Sequence, residues 1–343
     1  MMEITRTGPL PNERILVAGG AGYVGSHVAW LLCRLGFHVT VLDDLSTGHR
    51  GAVPDQAEFI RGDARDRAAV SRIFAEQKPT AVINFAALSL VGESYRDPLG
   101  YIAHNLAITL NLAKASVESG VSSFLLSSTA SIFGPDAAGP IAEDAPIRPG
   151  NPYGESKVMC ERVLHWLEVA SGIRTAALRY FNASGALLSG SLGEAHLPET
   201  HLIPIVIQAA MGLRDHVDIF GNDHPTPDGT CVRDYIHILD LADAHVRSLV
   251  ALRTAGGLRY NLGSGRGYSV REIVQAVEEL TGRRIATRLQ PRRQGDPPSL
   301  VACTDRVRQD LGWRPVHSTL PTIIGSAWKW HADHPYGYGA RAA

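Results

Sequence analysis

Tyr153 and Lys157 are four residues apart in the run Asn151-Pro152-Tyr153-Gly154-Glu155-Ser156-Lys157. Asn151 and Pro152 read as a helix N-cap and first helical residue, so the phenol and the ammonium share one helical face. A free tyrosine has a pKa of about 10 and is a poor base at neutral pH. A neighbouring ammonium favours the phenolate, and each unit of lowering is about 1.4 kcal/mol of differential stabilisation. A phenolate poised near neutrality takes a proton from an alcohol while hydride leaves the same carbon for an acceptor. The pair alone also arises by chance on solvated helices, so its weight depends on its surroundings. Ser127-Ser128-Thr129 closes the preceding predicted strand. Hydroxyls at the carboxyl end of a sheet strand face the ligand crevice. Thr129 is therefore the candidate to hydrogen-bond the reacting oxygen, with a strand-end turn cap as the alternative.

The hydride acceptor is suggested near the N-terminus. Gly19, Gly22 and Gly25 in Gly19-Gly20-Ala21-Gly22-Tyr23-Val24-Gly25 have GxxGxxG spacing between a predicted strand and a predicted helix. Missing side chains let backbone turn tightly and approach a pyrophosphate, whose charge then sits at the helix N-terminus. Alone, this pattern also fits a tight turn with no ligand. Asp43, closing the second predicted strand, strengthens it: a carboxylate there accepts both hydroxyls of an adenosine ribose and repels a 2′-phosphate. No Arg or Lys follows in Asp44-Leu45-Ser46-Thr47-Gly48, which favours NAD over NADP. The positive ring of oxidised nicotinamide would join Lys157 in favouring the phenolate. Asp63, after the third predicted strand, stands where it would meet the adenine or, equally well, cap the next helix.

Strands are expected at Arg14–Ala18, His38–Leu42, Glu58–Ile60, Ala81–Phe85, Phe124–Ser127 and Arg174–Leu178. Helical spacing falls at Tyr23–Leu35, Ala64–Glu76, Leu99–Ser119 and Asn151–Ala170. This alternation means βαβ units and a doubly wound (Rossmann) parallel sheet. The strand interiors are almost wholly apolar, as expected where helices cover both faces. After Tyr180 turn residues multiply and Asn222–Thr230 reads as a loop. Helical spacing returns at His201–Gly212, Leu239–Leu252 and Val270–Leu280, where Val270, Ile273, Val274, Val277 and Leu280 form a core stripe. The fold class expected is α/β, with a second, smaller α/β substrate lobe and a ligand cleft between the lobes.

The chain has 343 residues, enough for about two packing units. Its 33 basic and 34 acidic residues leave a formal charge of −1, an even balance that argues against nucleic-acid or membrane-surface binding. Hydrophobic residues make up 45%, too many for a disordered chain. No apolar run approaches the ~20 residues of a membrane helix. Met1–Glu13 reads as a short floppy tail without the order of a signal peptide. Cys33, Cys160, Cys231 and Cys303 form no CxxC, which suits reduced thiols in a cytoplasmic protein. The fourteen histidines show neither HExxH nor HxH, so no protein-bound metal is expected.

Gly19–Gly25, Asp43, Tyr153–Lys157, Arg179-Tyr180-Phe181-Asn182 and Ile219–His237 together resemble the UDP-glucose 4-epimerase family of the extended short-chain dehydrogenase/reductases. The likeness runs from about Arg14 to His334-Pro335-Tyr336-Gly337-Tyr338. It implies that NAD takes hydride from C4 of a UDP-sugar while Tyr153 takes the 4-hydroxyl proton. The 4-keto sugar then turns over, and hydride and proton return to invert C4. Lys157 would tune the tyrosine and hold the nicotinamide ribose, and Thr129 would orient the 4-oxygen. The implied NAD contacts are Gly19, Gly22, Tyr23, Val24, Gly25, Asp43, Asp44, Leu45, Ser46, Thr47, Gly48, Asp63, Ala64, Phe85, Ala86, Ala87, Ser89, Asn105, Ser127, Tyr153, Lys157 and Tyr180. Thr129, Tyr153, Asn182, His201, Leu202, Phe220, Arg233, Arg293, Asp296 and Leu300 are the implied substrate contacts. Among them Arg233 and Arg293 would clamp the pyrophosphate, Asp296 would hold the uridine ribose, and Phe220 the uracil. The implied lobes are 1–180 with 236–262 and the C-terminal helix for NAD, and 181–235 plus 264–315 for the UDP-sugar. A homodimer through helices near 99–119 and 152–170 is also implied.

Three positions depart from the family pattern. Ser89 replaces a frequent lysine near cofactor and sugar. His201 stands where some members have Asn. Leu300 stands where a Tyr or Cys helps set the room at C2 of the sugar. Related dehydratases and decarboxylases follow the threonine with a carboxylate; Ala130 and Ser131 here favour epimerisation. Another UDP-sugar (N-acetylhexosamine, pentose or uronate), a net nucleotide-sugar dehydrogenase and a non-catalytic NAD-binding protein remain as alternatives.

Overall fold

Ile15 and Val17 pack into one hydrophobic cluster, while Leu16 and Ala18 pack into another. Successive strand residues point to opposite faces, so this segment separates two covered layers. The computed structural model describes residues 9, 10, 12–134, 139–293 and 295–339. Most of the tail expected over residues 1–13 lies outside them. Its last residue is not loose: the Glu13 carboxylate is 2.6 Å from the Arg253 guanidinium.

In chain order the elements are β1 (Arg14–Ala18), α1 (Tyr23–Arg34), β2 (His38–Asp43), β3 (Glu58–Arg61), α2 (Arg67–Gln77), β4 (Ala81–Asn84), α3 (Val91–Ser94), α4 (Pro98–Glu118), β5 (Ser123–Thr129), β6 (Pro140–Ile141), α5 (Pro152–Ser171) and β7 (Arg174–Tyr180). They continue as β8 (Asn182–Ser184), α6 (Leu202–Ala210), β9 (Val217–Phe220), β10 (Val232–His237), α7 (Ile238–Ala251), β11 (Leu258–Leu262), β12 (Gly267–Ser269), α8 (Val270–Thr281), β13 (Thr287–Gln290), β14 (Ser299–Ala302), α9 (Asp305–Leu311) and α10 (Leu320–Asp333). No helix of the described residues is long and apolar enough to cross a membrane.

Seven strands form one sheet in the order β11-β7-β5-β4-β1-β2-β3, every neighbouring pair parallel. The chain winds outward from β1 to β3, then returns beside β1 as β4 and winds the other way. The switch point lies at the carboxyl ends of β1 and β4, where a doubly wound sheet opens its ligand crevice. Residues of α1 and α7 cover one face and residues of α2, α4 and α5 the other.

Local chemistry fixes several boundaries. Asn151 caps α5 through the Gly154 N–H at 2.8 Å, with Pro152 following. Asp66, not Asp63, caps α2 through Ala68 and Ala69, so that helix starts later than its apolar spacing suggested. Such caps stabilise by about 1 kcal/mol. Ser269 and Glu272 form a reciprocal capping box at the start of α8.

A separate core joins α6, α8 and α10 through residues such as Ile207, Ile273 and Ile324. Beside it, β10 pairs with β8 and β14 in parallel and with β12 antiparallel. The sequence reading put the C-terminal helix with the first lobe; instead α10 buries Ile323, Ile324 and Ala327 in this second core. In α8 the apolar stripe ends early, because Leu280 is 49% exposed.

Candidate active site

One cavity of about 1480 Å³ runs from the β1 turn, past the start of α5, to β9 and β10. It is bordered by every residue singled out from the sequence except Leu45 and Asn105. At its nucleotide end the chain turns at Gly19, whose φ is +75°. A Cβ on Gly19 would stand 2.4 Å from the Ala86 nitrogen, so glycine lets the loop after β4 close over the turn. A Cβ on Gly25 would stand 2.2 Å from the Gly19 oxygen, so glycine also seats α1 on that turn. Gly22 occupies the N-cap of α1 with no side-chain cap, leaving the first-turn N–H groups for a ligand.

Asp43 ends β2, and its carboxylate accepts from the backbone N–H groups of Ala21 and Leu45, both at 2.9 Å. Burial raises its pKa, and those two N–H bonds counter the rise. A Cβ on Gly48 would stand 2.9 Å from the same carboxylate. Leu45 adopts a φ of +62° and packs toward the sheet core, so it turns the chain without bordering the cavity. Asp63 is bound by the side chain and backbone N–H of Arg65, and the Arg65 hydrogen bond holds its carboxyl below the usual range. An uncapped helix N-terminus, a tight glycine turn and a carboxylate at the second strand end fit an NAD dinucleotide.

Asn105 works from behind the wall. Its side chain accepts from the Leu88 N–H at 2.8 Å and donates to the Leu88 oxygen at 3.0 Å and Ser156 Oγ at 2.9 Å. It thereby ties the loop after β4 to α5.

Tyr153 and Lys157 face the cavity from the first turns of α5, and Thr129 and Ser127 from the end of β5. The Lys157 ammonium donates to the Ser127 carbonyl at 2.9 Å and lies 5.9 Å from the Tyr153 ring centroid. Burial lifts the Tyr153 pKa to about 12, against a lowering hydrogen bond with Thr129. Burial also lowers the pKa of Lys157. In the protein without its cofactor desolvation outweighs any help from the ammonium, and Lys157 braces β5; the expectation of a favoured phenolate concerned Lys157 acting together with the nicotinamide ring. Thr129 also accepts from the Ser131 N–H at 3.1 Å, so it is both turn cap and cavity residue. Ser127 Oγ is hydrogen-bonded to the Tyr180 hydroxyl.

Gly154 is a constraint that the sequence reading overlooked. A Cβ there would stand 2.3 Å from the Ser131 oxygen, so glycine is what lets Tyr153 approach the Thr129 turn.

At the far end the Arg293 guanidinium lies 3.8 Å over the Phe220 ring centroid. Arg233 pairs with Asp296 and donates to the Val232 oxygen at 2.7 Å. Asn182, Leu202 and Leu300 border the same space. Ser89 adds a hydroxyl to the wall, so no cation stands at that position.

Residues 15–263 match the family described as "Epimerase: NAD dependent epimerase/dehydratase family". The chain belongs to this family. Among relatives of this NAD dependent epimerase/dehydratase chain, the UDP-glucose 4-epimerase of Lacticaseibacillus casei is 45% identical, over 95% of this chain and 99% of that one. That of Streptococcus mutans is 47% identical, over 95% and 99%. A crystal structure of UDP-glucose 4-epimerase from Brucella ovis in complex with NAD has a TM-score of 0.89 at 45% identity, covering 93% of this chain and 98% of that one.

The epimerase/dehydratase cavity holds one group that the sequence reading passed over. Glu194, His196 and Glu199 gather around His201, whose Nδ1 is 2.8 Å from Glu194 and 3.2 Å from Glu199. Burial by itself pulls both imidazoles down, but the two carboxylates outweigh it and lift His196 to about 9 and His201 to about 10. The sequence reading looked only for HExxH and HxH, so the spacing Glu194-x-His196-x-x-Glu199-x-His201 that brings these four side chains together went unremarked.

Proposed function

We propose that this chain is a UDP-glucose 4-epimerase, interconverting UDP-glucose and UDP-galactose through a transient 4-keto sugar with NAD as cofactor. The observation that carries this reading is one continuous cavity joining the Gly19–Gly25 turn, the Thr129/Tyr153/Lys157 group and the Arg233/Arg293/Asp296 group. The names of relatives aligned over nearly the whole chain support it.

Bound NAD⁺ supplies a reversible hydride acceptor. Gly19, Gly22 and Gly25 would admit its pyrophosphate, and Asp43 its adenosine ribose. Tyr153 takes the proton of the sugar 4-hydroxyl as C4 becomes a carbonyl, and returns it when C4 is reduced from the other face. Thr129 holds the 4-oxygen. Lys157 fixes β5 beside the phenol and would hold the nicotinamide ribose. Arg233 and Arg293 grip the pyrophosphate, which leaves the sugar free to turn over between the two half-reactions. Phe220 offers its ring to the uracil and Asp296 its carboxylate to the uridine ribose. Asn182 and His201 contact the diphosphate side, and Leu202 and Leu300 bound the sugar.

In this reading the seven-stranded sheet with α7 and β11 forms the NAD lobe, and the elements around β10 and α6 form the UDP-sugar lobe. Exposed Leu99, Leu110, Val117, Trp166 and Val169 on α4 and α5 suit a homodimer face there. The four cysteines are free thiols, which suits a reducing cytoplasm.

Incubation with UDP-galactose, UDP-N-acetylgalactosamine and UDP-arabinose in parallel, followed by separation of C4 epimers, tests the activity. UDP-glucose from the first is the expected product. Silence on all three sinks the reading, and stoichiometric NADH release would mark a net dehydrogenase.

A further inference from the structure

The segment between β8 and α6 brings four side chains to one point of the cavity wall: Glu194, His196, Glu199 and His201. We propose that they form a structural binding site for one divalent cation of the zinc class. This goes beyond the epimerase reading and does not depend on it.

The geometry carries the proposal. One ligand atom from each residue lies within 4.8 Å of all the others. His196 Nδ1 is 3.3 Å from Glu194 Oε1 and 3.6 Å from Glu199 Oε2. His201 Nδ1 is 2.8 Å from Glu194 Oε1 and 3.2 Å from Glu199 Oε1. Metal–ligand bonds of about 2.0–2.2 Å in a tetrahedron put neighbouring ligand atoms about 3.3–3.6 Å apart. Two of these separations, 3.3 and 3.6 Å, match that spacing and two, 2.8 and 3.2 Å, are shorter; they use both Glu199 oxygens, and with one ligand atom per residue the set lies within 4.8 Å, so a cation would draw the four side chains together. His196 Nδ1 is buried between the two carboxylates, within ion-pair distance of each.

Charge and chemistry point the same way. Two buried carboxylates need two positive charges; the two raised imidazoles supply them without a metal, and one divalent cation would take over that role as it displaces their protons. Two imidazoles and two carboxylates suit zinc better than magnesium or calcium, which take oxygen ligands. Four protein ligands close a tetrahedron and leave no open position, so the site would hold structure and add no Lewis acid to the reaction.

The segment is held ready. The Glu194 carbonyl accepts from the Trp330 indole N–H at 2.8 Å, and the Ala195 carbonyl lies 3.0 Å from His49 Nε2. Glu199 Oε1 accepts from the Thr200 and His201 N–H groups, both at 2.8 Å. Outer bonds of this kind orient ligands for a metal. Tyr23 of the glycine turn stacks edge-on against His196 at 6.4 Å, so a cation would tie this segment to the nucleotide end.

The test titrates chelator-treated full-length protein with ZnCl2 by calorimetry, and with CoCl2 by visible absorption. One equivalent per chain, an intense tetrahedral Co²⁺ spectrum and a raised melting temperature are expected. His196→Asn and Glu194→Gln should each weaken binding more than ~100-fold, beyond what loss of an outer hydrogen-bond partner costs. Substoichiometric uptake, a weak octahedral spectrum or unchanged affinity in both variants would overturn the proposal. If either variant unfolds, X-ray absorption of the Co²⁺-loaded wild-type protein decides: a four-coordinate nitrogen/oxygen shell is expected, and six oxygens overturn it.

Discussion

Lys157 lies 5.9 Å from the Tyr153 ring centroid, yet its ammonium donates to the Ser127 carbonyl oxygen at 2.9 Å and not to the phenol. With the phenol lifted to about 12 by burial, Tyr153 is neutral at pH 7 in the cofactor-free protein. Further positive charge must enter before it can act as a base, and oxidised nicotinamide carries it. We expect tyrosinate absorbance, taken as wild type minus Tyr153→Phe, to appear only above pH 10 without NAD⁺ and at lower pH with it. Identical titrations in the two states would show that the cofactor does not activate this phenol.

Tyr153→Phe keeps the ring and removes the proton acceptor. Loss of a positioned general base costs about 10²–10⁴-fold in rate. Epimerisation should fall by that much, while UDP affinity, measured by calorimetry, stays unchanged. Full turnover in the variant would move the proton transfer to another group.

Arg233 and Asp296 form an ion pair at the end of the cavity opposite the glycine turn. A guanidinium matches two phosphate oxygens in a way that an ammonium does not. Arg233→Lys should therefore weaken UDP binding by about 10–100-fold, the range for a hydrogen bond to a charged group. Asp296→Asn should also weaken it, because it removes both a ribose acceptor and the partner that aims Arg233. If UDP affinity survives both changes, the nucleotide lies elsewhere.

The sheet was legible because Ile15-Leu16-Val17-Ala18 and its counterparts alternate with amphipathic helices, a local signal. The glycine turn, Asp43 and the Tyr153/Lys157 pair were legible because their chemistry needs fixed short spacings. What stayed hidden is relational. Nothing in the spacing of Lys157 reveals that its nearest acceptor is a carbonyl of β5. Asn105 reads as a polar helix residue until its three bonds to Leu88 and Ser156 are seen. The apolar face of α10 does not say which core it joins. Glu194 and Glu199 read as loop acids, because only the folded segment turns them toward two imidazoles.

Beneath the site, Arg179 and Glu161 form a buried pair at 2.7 Å, and Ser128 donates to the same carboxylate at 2.5 Å. Ser128 adjoins Thr129, so this pair anchors the reactive end of β5. Arg179→Met leaves a buried carboxylate without its cation, which costs about 3–5 kcal/mol. Combining it with Glu161→Leu removes both charges and should recover most of the loss. Denaturant unfolding of the three proteins decides; equal destabilisation in the single and double variants would mean that packing, not charge, holds the pair.

His245 is buried in α7 against Phe85 and Tyr180, with ring centroids 5.0 and 5.9 Å away. Its Nδ1 is 2.8 Å from the Leu241 carbonyl, and its Nε2 has no hydrogen-bond partner. Burial lowers its pKa from 6.5 to about 4. The unfolded chain therefore binds a proton that the folded chain refuses. Stability with respect to this group is greatest above pH 6.5 and falls as pH drops toward 4, the loss reaching about 3 kcal/mol at the acid limit. His245→Phe keeps a ring of similar size and removes the titration. Its unfolding free energy should fall less steeply between pH 6.5 and 4 than that of the wild type. Parallel profiles would assign the acid lability to other groups, first to His27 and His237, which burial also holds neutral.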